Sequence, residues 1–314
     1  MNTTRPIKFL FLTLTASLLF SASNSLAQDS RATDLRVTHG PLLGRPGPDT
    51  MSLWVRTERP GEVKVFYGIQ KELLDREASI KTTSLQHDYT GIITLNNLEA
   101  NTRYYYRIAD HQLSGSFRTL PQAADFRNPK GNPDGLFNFK FEFACGNNQN
   151  GGGNSAGPTV PVFDTLNEQV RDEVHFAILN GDWLYEQRRD YSPDSWLHQV
   201  GLDSMKEAPK IVQKAPSIVG VWENYKVFLE RGKNLSEWHR HVPSFYTADD
   251  HELLNDIYGA GETGYVNRRA VFRDIGTQAW FDYLAWANPV KHDQPAWFGT
   301  GEFQAKSDIL EDPK

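Results

Sequence analysis

The chain is short of several things, and each shortage excludes a class of protein. There is one cysteine, Cys145, in 314 residues, so no internal disulfide can form whatever the compartment. No excess of basic charge exists: Lys and Arg total 33 against 39 Asp and Glu, a formal charge of -6. The basic residues are scattered, without the clusters a phosphate backbone needs, which argues against nucleic acid as a bulk partner. Internal repeats are missing, and the only biased stretch is the Asn/Gly run within Gly146–Gly157. The one long apolar run, Phe9–Phe20, is about a dozen residues and too short for a comfortable membrane span.

That run reads instead as the core of an export leader over residues 1–27. Arg5 and Lys8 precede it, and Ser25-Leu26-Ala27 fits the small-x-small cleavage rule, predicting a mature chain from Gln28. No Arg-Arg pair precedes the run and no cysteine follows the cleavage site, so the reading is a periplasmic or secreted protein without an integral membrane segment after cleavage.

From 35 to 120 short apolar strands alternate with turns. Strands are predicted at Leu35–Val37, Met51–Arg56, Glu62–Tyr67, Asp88–Leu95, Arg103–Ile108 and Gly115–Thr119. Val63, Val65 and Tyr67 share one face, the period of a half-buried strand. Turn signals such as Arg45-Pro46-Gly47-Pro48 and Arg59-Pro60-Gly61 separate them, which predicts an antiparallel sandwich of about seven strands. The segment Leu95–Ile108, with Tyr104-Tyr105-Tyr106, resembles the tyrosine corner of fibronectin type III modules, where tyrosines pack rather than bind.

Residues 121–136 read as a linker. Beyond it, over 137–314, the pattern becomes α/β. Phe137–Ala144 and His175–Leu179 read as buried strands flanking a helix at Val160–Val170, one βαβ unit and hence a parallel sheet. Val242–Tyr246 is a third strand. Ala215–Gly232 reads as a helix with a break at Gly220, and Thr263–Ala287 as a long amphipathic helix.

Three strand ends carry the chemistry: Cys145, Asp182 with Tyr185, and Asp249-Asp250-His251-Glu252 followed by Asn255. Loops after successive parallel strands converge on one edge of the sheet. Carboxylates there can hold a metal while an imidazole faces the reacting group. His239 and His241 have His-x-His spacing but sit in a polar stretch beside Trp238 and Arg240, where a structural role is the plainer reading. Trp183, Trp222 and Trp280 read as packing residues.

Over 35–314 these elements resemble the alkaline phosphatase D (PhoD-like) family of calcineurin-like metallophosphoesterases. The matching segments are Phe-Ala-Cys-Gly-Asn at Cys145, Gly-Asp-Trp-Leu-Tyr-Glu at Asp182 and Tyr185, and Asp-Asp-His-Glu at Asp249–Glu252. The resemblance implies a fibronectin-III-like β-sandwich followed by an α/β metallophosphoesterase domain with a mostly parallel sheet. It implies hydrolysis of phosphate mono- or diesters, small molecules or phospholipids, by hydroxide held on a dinuclear Fe3+ and Ca2+ site. Asp182 would bridge the two ions, Cys145 and Tyr185 would bind the iron, and Asp250 the calcium. His251 would face the phosphoryl group as the catalytic residue, with Asn147, Asp249, Glu252 and Asn255 lining the site. The family's domain continues into a Gly-Asp-x-His element that has no counterpart after Asn255, so the domain is expected to be partial. The competing readings are a non-catalytic exported binding protein or an inactive fragment of such an enzyme.

Overall fold

Alternation in the first hundred residues produces two antiparallel sheets. The computed structural model describes residues 35–82, 85–108, 113–151, 157–189, 191–213, 217–255 and 266–289. The expected leader, the tip of the Asn/Gly loop and the segment 290–314 with its lone histidine, His292, lie outside them. The first sheet has the order β1 (Val37–Gly44), β2 (Met51–Thr57), β5 (Thr90–Leu95). The second runs β4 (Arg76–Thr82), β3 (Gly61–Gly68), β6 (Arg103–Ile108), β7 (Ser114–Arg118). Leu43, Leu53, Val55, Val63, Val65, Ile80, Tyr104 and Phe117 fill the space between them. The first strand is longer than the sequence suggests, and β4 was not anticipated at all. Its Arg-Glu-Ala-Ser-Ile-Lys-Thr run is an edge strand, fully burying only Ile80 and Thr82, and so lacks an apolar period. The expected corner is present: the Tyr104 hydroxyl accepts a hydrogen bond from the Glu99 amide at 2.9 Å.

Every residue of β2 is buried, which a sheet with one wet face would not produce. Leu53 and Val55 point into the sandwich. Leu42 and Trp54 point the other way, into the core of the α/β part. Sandwich and α/β part thus lie within one compact unit.

After a short helix α1 (Ala123–Phe126), β8 (Phe141–Ala144) leads through α2 (Val162–Gln169) to β9 (Phe176–Asn180). Helices α3 (Pro193–Val200), α4 (Lys210–Gln213), α5 (Val219–Arg231) and α6 (Lys233–His239) then intervene before β10 (Ser244–Thr247). A single turn, α7 (Asp250–Leu253), and the long α8 (Val266–Tyr283) follow, with a 3-10 turn at Ala285–Ala287 after them. The sheet is parallel, in the order β10-β9-β8. Helix α5 begins later than the sequence suggests and does not break at Gly220. A Cβ there would lie 2.4 Å from the Arg188 carbonyl oxygen, so the glycine admits a neighbouring loop rather than a kink.

Among the described residues, covering of this sheet is one-sided. Ala177, Leu179 and Tyr246 face the helical core. On the opposite face the apolar run around β8 was expected to be buried, yet Phe141 and Phe143 are 49% and 59% exposed, with Phe139 at 51%. Phe141 stacks on Phe176 of β9 at 5.5 Å, and Phe176 meets Phe245 of β10 edge-on at 5.4 Å. The run is apolar because a parallel strand has two dry faces to serve, and one of them is open here.

Candidate active site

The site forms where β9 ends. Gly181 and Asp182 both adopt left-handed backbone, with φ of +75° and +53°. A Cβ on Gly181 would sit 2.7 Å from the Cβ of Asp249, so only glycine lets the loops after β9 and β10 approach this closely. Asp182 has no such exemption, and a non-glycine residue held in this region marks a conformation imposed by its surroundings.

Glu252 imposes it. One carboxylate oxygen accepts from the amides of Trp183 at 2.7 Å and Leu184 at 3.1 Å. The other accepts from Asp182 at 3.1 Å and Asp249 at 2.8 Å. The last contact belongs to a capping box in which Asp249 is the N-cap of α7. A single buried carboxylate therefore ties both loops together. Burial pushes its carboxyl up, to about 7, against the pull of the four amides. The loop after β8 is stitched in as well: Asn147 donates its amide to the Asp182 carbonyl at 2.7 Å and its side chain to the Trp183 carbonyl at 3.2 Å.

Within this frame, Tyr185 donates its hydroxyl to Asp182 Oδ2 at 3.0 Å, while Asp182 Oδ1 is buried with no hydrogen-bond partner. Ligand atoms of Asp182, Asp250 and His251 lie within 4.8 Å of one another. The Tyr185 hydroxyl also lies 3.4 Å from where a Cβ on Gly146 would be, beside the exposed thiol of Cys145. The His251 ring packs on Tyr185 at 4.1 Å, and its Nδ1 meets Glu186 Oε2 at 2.6 Å. Burial, opposed by the Tyr185 hydrogen bond and His251 but assisted by Asp249 and Asp250, raises the Asp182 carboxyl above its usual value. Burial and then Asp182 raise the Tyr185 phenol too, with Cys145 adding to the effect. Burial would lower His251, but Glu186, Asp182 and Asp250 outweigh it and raise the imidazole. These shifts describe a pocket with more negative than positive charge. An orphaned carboxylate oxygen beside a phenol, a thiol and a second carboxylate is a donor set that suits bound cations.

The structure thus gathers Asp182, Tyr185, Asp249, Asp250, His251, Glu252 and Asn147 at one sheet edge, with Cys145 at its rim. Asn255 contributes its backbone amide, which donates to Glu186 Oε1. Two participants escaped sequence reading. Glu186 follows Tyr185 in the recognised segment, so its position was in view although its role was not. Arg189, whose guanidinium donates to the His251 carbonyl at 3.0 Å, carried no signal.

The His-x-His pair is structural. His239 is fully buried; its Nε2 accepts from the Trp183 indole at 3.3 Å, leaving Nδ1–H for the Tyr246 hydroxyl at 3.2 Å. Burial holds its pKa down, to about 3. His241 faces elsewhere, accepting from the Ser116 amide at 3.2 Å and pairing with Glu237 at 3.1 Å. Trp183 stacks on Tyr225 at 5.9 Å, and Trp222 packs on Trp196 at 6.0 Å.

An antiparallel sandwich is thus followed by a parallel α/β sheet, with carboxylates, a phenol and an imidazole converging on one edge. The chain belongs to the PhoD-like phosphatase family: residues 21–121 match its N-terminal domain and residues 140–301 match the PhoD-like phosphatase domain. A solved structure of PhoD has the same fold, at 19% identity and a TM-score of 0.57 over 87% of this chain. The match covers 49% of the PhoD chain, so this chain spans about half its length. The purple acid phosphatase PPD1 from yellow lupin (Lupinus luteus) seeds is similar at 13% identity and a TM-score of 0.45, covering 82% of this chain and 41% of that one. No curated protein matches the chain.

Proposed function

We propose that this chain carries the site of an exported, metal-dependent phosphoric ester hydrolase. The observation that carries the reading is the buried, unpartnered Oδ1 of Asp182, set within 4.8 Å of ligand atoms on Asp250 and His251. Asp182 would bridge two cations, with Cys145 and Tyr185 on a ferric ion and Asp250 on a calcium ion, thiolate and phenolate suiting the first and hard oxygens the second. Bound there, the cations would supply Lewis acidity and neutralise phosphate charge. Glu252 holds the two ligand-bearing loops in register. His251 would face the phosphoryl group, stabilising its charge or protonating the leaving oxygen. The sandwich over 35–120 is scaffold, and 1–27 a leader. Among the described residues no helix is long and apolar enough to cross a membrane. Substrates are small phosphate mono- or diesters, with phospholipid headgroups as the larger members of the class.

The test is metal content and turnover on the same preparation. The mature chain, loaded with ferric iron and calcium, is expected to retain both ions and to hydrolyse a nitrophenyl phosphate mono- or diester. Asp182→Ala should reduce both metal content and turnover to background. Failure to retain any metal after loading, or equal turnover in the variant, would sink the reading.

A further inference from the structure

A cleft opens at the end of the parallel sheet away from the candidate active site. One wall comes from the turns that precede β9 and β10, at Arg171-Asp172 and Arg240-His241. Asp182 and Asp249 follow the same two strands, so the length of β9 alone sets roughly 15 Å between the two places. The sandwich supplies the other wall, from β6, β7 and the end of β3 with the loop after it. Three hydrogen bonds lock the walls together. The Tyr106 hydroxyl donates to the Arg240 carbonyl at 2.9 Å, the Ser116 amide to His241 Nδ1 at 3.2 Å, and Arg103 Nη2 to the Asp172 carbonyl at 2.9 Å.

The chain carries a formal charge of -6, yet here the balance is reversed. Five Lys and Arg side chains line the cleft against three Asp and Glu. Its inner arginines outnumber the carboxylates they share. Glu237 alone serves Arg171 at 3.6 Å, Arg240 at 3.2 Å and His241 at 3.1 Å. Asp172 serves Arg103 at 2.7 Å and Arg171 at 3.9 Å. The Nε atoms of Arg171 and Arg240 are buried without a hydrogen-bond partner, and an arriving anion would satisfy such donors. At the rim, Lys71 and Arg107 are exposed and have no carboxylate partner among the described residues. Arg107 lies over the Phe66 ring at 5.7 Å.

We propose that this cleft is a non-catalytic binding site for an organic phosphate bearing at least two phosphate groups, one against Arg171 and Arg240 and one against Lys71 and Arg107. Guanidinium forks match phosphate oxygens in pairs. The cleft holds about 1010 Å³, room for a whole organic ligand rather than a lone phosphate. A local excess of two positive charges is too small for the many phosphates of a nucleic-acid backbone, so the ligand is a short molecule.

The test is calorimetric titration of the metal-free full chain with fructose 1,6-bisphosphate, which reads binding without turnover and apart from the hydrolase reading. The bisphosphate is expected to bind at one site per chain, and less tightly as salt rises. Its affinity should exceed that of inorganic phosphate by about tenfold or more, and Lys71→Ala combined with Arg107→Ala should remove about that factor, as the loss of charge-assisted hydrogen bonds predicts. Arg171→Gln should weaken binding likewise, whereas Asp182→Ala, at the far end of the sheet, should not. No binding at millimolar bisphosphate, equal affinity for inorganic phosphate, or undiminished affinity in the rim variant overturns the proposal. So does equal binding of a hexaglutamate peptide, which would assign the cleft to acidic chains instead of phosphates.

Discussion

Trp54, in the second strand of the sandwich, donates its indole N–H to the backbone carbonyl of Asp282 near the end of α8, at 2.8 Å and 228 residues away in sequence. The indole is fully buried and lies 5.3 Å from the Tyr283 ring. It is counted among the residues of the α/β core, not the sandwich core. Trp54→Ala is expected to cost about 3–5 kcal/mol, the range for a buried tryptophan. Urea denaturation followed by circular dichroism and by tryptophan fluorescence should give one coincident transition before and after the change. Two separated transitions in the unmutated protein would show that the layers unfold independently despite this contact.

Glu252 is the second point of leverage. Glu252→Gln replaces one of two acceptor oxygens with an NH2 that faces amide donors, leaving N–H groups unsatisfied at about 1–3 kcal/mol each. Because those amides set the positions of Asp182 and of α7, metal affinity should weaken roughly 10–100-fold, the usual penalty for losing the support behind a ligand. Thermal unfolding and calorimetric metal titration read the two effects. A destabilised variant with unaltered metal affinity would show that the loops hold register without it.

A buried charge cluster joins sandwich and helices and sets an acid limit. Asp88 is wholly buried and pairs with Arg56 through two hydrogen bonds of 2.8 and 2.9 Å, with Lys226 at 3.4 Å and the Tyr283 hydroxyl at 2.6 Å. Burial alone would raise its carboxyl, but Lys226, Arg56 and the hydrogen bonds outweigh it and hold it well below the usual carboxylate range. A depressed folded value means that the unfolded chain takes up the proton first. Its stabilisation is therefore complete above the unfolded value of about 4 and is lost progressively below it. Urea midpoints measured from pH 6 to pH 2.5 should fall below about pH 4. In Asp88→Asn that part of the acid dependence should vanish, on a protein already weaker by about 3–5 kcal/mol from the unpaired cations left behind.

Cys145 reports on the site directly. Its thiol is exposed, and it is the only cysteine, so maleimide labelling follows one residue. Loading with ferric iron is expected to slow labelling by about tenfold or more, since a ligating thiolate is not a free nucleophile. Asp182→Ala should abolish the protection. Equal labelling with and without metal would remove Cys145 from the ligand set.

Much of this was legible in the sequence, for identifiable reasons. The sandwich announced itself through period-2 alternation and closely spaced turns, and the parallel sheet through apolar runs ending in Gly181-Asp182 and Asp249-Asp250. What stayed hidden depends on contacts across the chain. The β4 strand is an edge and needs no apolar face. The full burial of β2 follows from a helix more than 200 residues later. Glu186 acquires its role only by meeting His251, 65 residues on, and no local pattern encodes that meeting. The His-x-His spacing permits a shared ligand, yet its polar setting already favoured a structural role, and the last turn of α6 and the residues beyond it send the two rings to different partners.

The open row of phenyl rings on Phe139, Phe141 and Phe143 has a consequence for the protein as a material. A contiguous apolar strip on an edge strand is where one molecule adheres to the next. Sulfate salts strengthen such burial by being excluded from protein surfaces. The chain should therefore salt out at low ammonium sulfate, bind strongly to phenyl resin, and scatter light increasingly with concentration until a mild detergent wets the strip. Phe141→Glu with Phe143→Lys, changing neither the site nor the buried face of β8, should restore a monodisperse solution.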